Sequence, residues 1–152
     1  MIGAQPDLFV DVVRSVLGAG GAVRFRADGD SMRPTIRGGE IVTAAPVVDE
    51  RIVAGDVLLV RSAGRVLAHR VVAIDATAAE RLVRLRGDAK SGCDAPTRVA
   101  QIVGRVVAVE RNGRTIRLDG LAARLRYRLR AAASRIWSCR TRAARRRRQA
   151  LC

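Results

Sequence analysis

The chain is poor in several residue types that carry familiar chemistry. It holds one histidine, which nearly excludes a metal centre built on imidazoles. Its three cysteines, Cys93, Cys139 and Cys152, are odd in number and widely spaced, so inert thiols are expected, not a disulfide framework or a zinc site. No metal or other cofactor is expected. One Trp, one Tyr and two Phe are too few for a base-stacking surface. No apolar run approaches the ~18 residues of a membrane span. A secretory leader is not expected either, because the first cation is Arg14 and Asp7 and Asp11 interrupt the early residues. The expected location is cytoplasmic or peripheral on a membrane. Acid is also missing from one region. After Gly120 there are 11 arginines and no Asp or Glu, whereas residues 1–120 hold 18 basic and 14 acidic side chains. The net charge of +15 therefore belongs mostly to the tail.

The rest of the composition is ordinary. An apolar fraction of 49% over 152 residues suits one domain with a buried core and a tail. Residues 6–18 read as a helix that begins at Pro6 and ends at Gly18, Gly20 and Gly21. Its expected apolar face is Leu8, Phe9, Val12, Val13, Val16 and Leu17. Strand-like runs follow at 22–27, 40–45, 56–61, 65–75, 81–86, 101–111 and 114–118. Asn112-Gly113 makes a two-residue hairpin turn between the last two. The expected fold is mainly β: an irregular, mostly antiparallel curled sheet or partly open barrel. Residues 1–120 form the body, with the core of the site at about 22–111. Residues 121–152 form a basic amphipathic helical tail.

In that tail Leu121, Leu125, Leu129, Ala132 and Ile136 mark one stripe, surrounded by Arg124, Arg126, Arg128, Arg130 and Arg135. A continuous helix from 121 to 148 is expected, fraying towards Arg145, Arg146, Arg147 and Arg148, where like charges crowd. Three uses fit the pattern. The stripe packs on the body, or it lies with its arginines on an anionic membrane surface. The third, nucleic acid or an acidic partner, fits less well.

One stretch is suited to nucleophilic chemistry: Gly29-Asp30-Ser31-Met32-Arg33-Pro34-Thr35-Ile36. Gly29 lets the backbone bend tightly before the serine. Pro34 limits any helix begun at Ser31, so the hydroxyl sits on a short turn at a strand end. The single histidine, His69, lies 38 positions on in Leu67-Ala68-His69-Arg70-Val71-Val72. It is the natural base for Ser31. Each residue also has an ordinary use. Ser31 could cap a short helix, and His69 could be a hydrogen-bonded core residue. Gly87-Asp88 is common turn chemistry. Lys90, the only lysine, allows a Ser-Lys alternative.

Taken together, the ordered boxes resemble the signal peptidase I and self-cleaving repressor superfamily of serine peptidases. The boxes are Gly-Asp-Ser-Met-Arg-Pro-Thr-Ile at 29–36, Gly55-Asp56-Val57, His69-Arg70-Val71-Val72, Arg86-Gly87-Asp88-Ala89 with Asp94 after it, and Val103-Gly104-Arg105-Val106. They span about residues 22–111. With histidine at the base position, the chain is similar to the endoplasmic-reticulum-type branch. The resemblance implies an irregular antiparallel β fold and cleavage of a precursor protein after a small residue, or self-cleavage in the repressor branch. It implies Ser31 as nucleophile, His69 as base, and Asp88 or Asp94 as the acid that orients the imidazole. Gly29, Asp30 and Ser31 would shape the turn and oxyanion site, with the Ser31 N–H as donor. Met32 and Pro34 would touch substrate. Two departures stand out. Some members place a serine hydroxyl where this chain has Gly29, and signal peptidases carry membrane-spanning anchors that no segment here matches. The alternative from another class is a non-catalytic basic adaptor on the same scaffold, binding anionic lipid or nucleic acid through the tail.

Overall fold

Alternating apolar and polar residues in short runs fold as a single antiparallel sheet flanked by two helices. The computed structural model describes residues 6–76, 80–129 and 132. Helix α1 is Pro6–Gly18. The strands are β1 Val23–Arg26, β2 Ile41–Ala45, β3 Val57–Ser62, β4 Arg65–Asp75, β5 Leu82–Arg86, β6 Thr97–Arg98, β7 Ile102–Arg111 and β8 Arg114–Arg117. A second helix, α2, covers 121–129. The expected helix and strands are present to within a residue at each end, and only the two-residue β6 was not expected. The continuation expected for the tail helix, with Arg130, Arg135, Ile136 and Arg145–Arg148, falls outside the described residues, as do Cys139 and Cys152.

The strand order is β1-β2-β7-β3-β4-β5-β6, with β8 also on β7, and the sheet does not close into a barrel. Register shifts at Thr43/Ala44, Leu59/Val60 and Val71/Ala73 each leave a residue unpaired on one strand. Such bulges bend and twist a sheet, which gives this one its curl. Both faces are covered. Successive strand side chains alternate, so Val57 and Leu59 enter one core with Val13, Leu17, Met32, Ile36 and Val109. Leu58 and Val60 enter a second core with Ile52, Val71, Val83 and Leu85. His69 pairs across from Leu58, and Arg70 from Val57. The two neighbours on β4 therefore serve opposite faces, a fact that decides the site.

Helix α1 lies on β7 where Gly104 leaves room for it. A Cβ on Gly104 would stand 2.5 Å from Leu17 Cδ1 and 2.9 Å from the Ala45 carbonyl oxygen. The apolar face expected for α1 is corrected in detail. Val10, Val13 and Leu17 form the buried line, while Leu8 and Val12 are exposed. Their i, i+3, i+7 spacing follows the turn of the helix, and Leu8 and Val12 fall on its far flank.

Helix α2 is also oriented differently from a stripe packed on the body. Its ion pair and ring contact with the body come from Arg124 and Tyr127. Arg124 Nε and Nη2 each lie 3.0 Å from Asp56 Oδ1, and Asp56 is fully buried. Arg70 lies over the Tyr127 ring, 4.8 Å from its centroid. A buried carboxylate needs a cation more than a leucine needs cover, so the helix turns Arg124 inward and Leu121, Leu125 and Leu129 outward.

One ion pair ties β7 to the loop that follows Ser31. Arg111 Nη2 donates to Glu40 Oε2 at 3.0 Å and to the Thr35 carbonyl at 3.1 Å. The Arg111 hydrogen bond holds the Glu40 carboxyl below its ordinary value of 4.5. A depressed carboxyl stabilises the fold fully above its unfolded value, and this contribution is lost as pH falls through the folded value. Glu40→Gln is therefore expected to lower the melting temperature at neutral pH and to flatten the acid limb of stability below pH 4.5. Thermal melts of both proteins across pH 3–7 check this, and parallel curves would contradict it.

Candidate active site

The loop 27–40 is closed at its base by two backbone bonds, Ala27 N–H to the Glu40 carbonyl at 2.8 Å and Gly39 N–H to the Ala27 carbonyl at 2.9 Å. Gly29 adopts a positive φ of 79°, as its place before the serine demands. Asp30 holds the turn, since its Oδ1 accepts from Arg33 Nε at 2.7 Å and from Gly38 N–H at 3.2 Å. Met32 and Ile36 are buried in the core and joined by the Ile36 N–H to Met32 carbonyl bond of 3.0 Å. Ser31 is thus clamped between a polar turn and an apolar anchor. Met32, expected at the substrate, is corrected: at 4% exposed it is part of the core. Pro34 follows a cis peptide bond and lines a cavity with Thr35.

His69 sits in β4 and is 1% exposed. Its Nε2 lies 3.2 Å from Ser31 Oγ, and its Nδ1 is hydrogen-bonded to the Asp94 carboxylate. An ionised carboxylate can only accept, so Nδ1 carries the proton and Nε2 turns its lone pair towards the hydroxyl. That tautomer can take a proton from serine. Lys90 Nζ lies 3.7 Å from the other Asp94 oxygen, so the lysine pairs with the acid.

Two acids competed for this place in the sequence, and the geometry separates them. Asp94 is brought back to β5 by its N–H bond to the Leu85 carbonyl, 2.8 Å. Asp88 lies on the Arg70 side. Arg70 Nε donates to its Oδ1 at 2.7 Å and Nη2 to its Oδ2 at 2.6 Å, and the Thr35 hydroxyl bonds it as well. Asp88, expected as a partner of the imidazole, is therefore the counter-ion of a buried arginine. The reason is the alternation on β4, which sends His69 and Arg70 to opposite faces.

Gly87 was read from the sequence only as a turn residue, yet it packs against the Ser31 backbone and the His69 ring. A Cβ there would lie 2.6 Å from the Ser31 carbonyl oxygen and 3.2 Å from His69 Nε2. The Ala89 N–H to Ser31 carbonyl bond, 2.9 Å, shows how closely the two loops approach. Gly87→Ala must push them apart. Under the peptidase reading proposed below, peptide cleavage by this variant is expected to fall about 100-fold or more, since near-ångström misplacement of reacting groups costs that much. A wild-type turnover rate for this variant would contradict the close packing.

A cavity of about 410 Å³ opens beside Arg70, Asp88, Thr35 and Tyr127, and its lining includes neither Ser31 nor His69. Among the described residues, no three His, Cys, Asp or Glu side chains gather as a metal-holding group. Cys93 is exposed and unpaired with another thiol. Comparison with protein-family models, with curated proteins and with solved structures finds no match.

Proposed function

We propose that this chain is a serine endopeptidase of the signal-peptidase and self-cleaving-repressor type. The observation that carries the reading is the continuous relay Ser31 Oγ, His69 Nε2 at 3.2 Å, His69 Nδ1 and the Asp94 carboxylate. A serine, a base in the right tautomer and an acid to hold it are what acyl transfer requires. The order of the motif boxes along the chain supports the same family.

The chemistry runs in two halves. Ser31 Oγ attacks the peptide carbonyl carbon while His69 Nε2 takes its proton. The tetrahedral intermediate collapses, the C–N bond breaks, and the imidazolium returns that proton to the leaving amine. An ester to Ser31 remains. Water then attacks the ester carbonyl, His69 takes its proton, and the acid product leaves as Ser31 regains the proton. Asp94 stabilises the imidazolium in both halves. Among the described residues no backbone carbonyl accepts the Ser31 N–H, which leaves it free to donate to the oxyanion. Gly29 adds no hydroxyl there.

The test is a defined peptide library read by mass spectrometry. Cleavage confined to bonds that follow Ala, Gly or Ser, and absent with Ser31→Ala, is the expected result. Cleavage that survives in Ser31→Ala, or a library left intact by the wild type, overturns the proposal.

A further inference from the structure

We propose that the outer face of α2 lies on an anionic lipid bilayer. The helix is fixed to the body through Arg124 and Tyr127. This leaves Leu121 82%, Leu125 58% and Leu129 62% exposed. At 3.6 residues per turn these three leucines fall within about 80° of one another. Ala123 and Tyr127 occupy the opposite side, and together with Arg126 on the flank they line the Arg70 cavity.

The flanks of the stripe are basic. Arg126 borders it on one side and Arg128 on the other, both exposed. A helix lying in a membrane interface needs apolar side chains in the middle and cations at the edges, whose long stems rise to the headgroups. Charge chooses the lipid, because the chain from 121 on holds 11 arginines and no acid.

Other occupants fit less well. A second copy packed leucine to leucine would bring its own Arg126 and Arg128 against these, with no acid on either helix to meet them. A nucleic acid would engage the arginines and leave three leucines in water. The surface is separate from Ser31 and His69, so this inference does not depend on the peptidase reading.

Full-length protein sedimented with vesicles of phosphatidylcholine and phosphatidylglycerol tests it. Binding to the mixed vesicles and not to pure phosphatidylcholine is expected. Leu125→Ser with Leu129→Ser should weaken that binding about tenfold or more. Its melting curve should stay unchanged, since both side chains are exposed. Arg126→Gln with Arg128→Gln should weaken binding too. Equal binding by the leucine variant overturns the proposal, as does capture of duplex DNA without capture of vesicles. A wild-type dimer that the leucine variant converts to monomer, with no vesicle binding by either, overturns it in favour of a self-interface. Ser31→Ala should bind vesicles as the wild type does, so failure of the membrane surface and failure of the peptidase reading give different results.

Discussion

Ser31→Ala is expected to lower kcat on a cleavable peptide by about 10⁴- to 10⁶-fold, with KM little changed. His69→Ala should do nearly the same, and the double variant should be no worse than either. In the proposed mechanism the two side chains act as one unit across the 3.2 Å contact, so removing either would remove the proton transfer. Additive losses in the double variant would mean that they act separately and would sink the dyad. Ser31→Ala should stay folded. Ser31 is partly exposed, and its loss leaves His69 anchored by Asp94.

The second large effect separates the two acids. Asp94→Asn leaves a neutral group at Nδ1 that can present N–H instead of a carboxylate, which favours the wrong tautomer. A loss of about 10²- to 10⁴-fold in kcat is expected, with little change in stability because Asp94 is partly exposed. Asp88→Ala should do the reverse. It leaves the buried Arg70 side chain without its carboxylate. Removing one partner of a buried ion pair costs about 3–5 kcal/mol. At a temperature where the variant is still folded, its kcat should lie far closer to wild type than that of Asp94→Asn. Paired melts and kinetics of the two variants decide it, and a stable but inactive Asp88→Ala would reverse the assignment.

Much of this was legible in the chain. The strands announced themselves by period and by turn residues. The serine and histidine stood out because each sits in a short box whose neighbours shape the backbone. The choice between Asp88 and Asp94 was not legible. Both belong to one loop, and the chain reversal that selects between them depends on the Lys90 N–H to Gly87 carbonyl bond and on the return of Asp94 to Leu85. Those contacts are settled by packing against Ser31, not by local pattern. Arg70 was quoted in the base box but given no task, because its partners are Asp88, Gly55 and Thr35, all distant in sequence. The turn at Ala63-Gly64 escaped notice for another reason. Ala63 has a φ of 47°, a conformation usually left to Asn or Gly. The facing of α2 was hidden as well, since it is set by Asp56, 68 positions before Arg124.

That last contact changes where the chain can be shortened. A cut at 120 looks like the clean way to strip the arginines, yet it would pull the stopper from a dry carboxylate. Among the described residues, the Asp56 carboxylate would then keep the Val53 N–H at 3.1 Å and Arg105 at 3.7 Å. Such a fragment would lose whatever the tail binds by coming apart at this seam, and its failure would be misread as the loss of a basic handle. A faithful body keeps Arg124 and Tyr127, and the charge of the tail is better removed by substitution than by scissors.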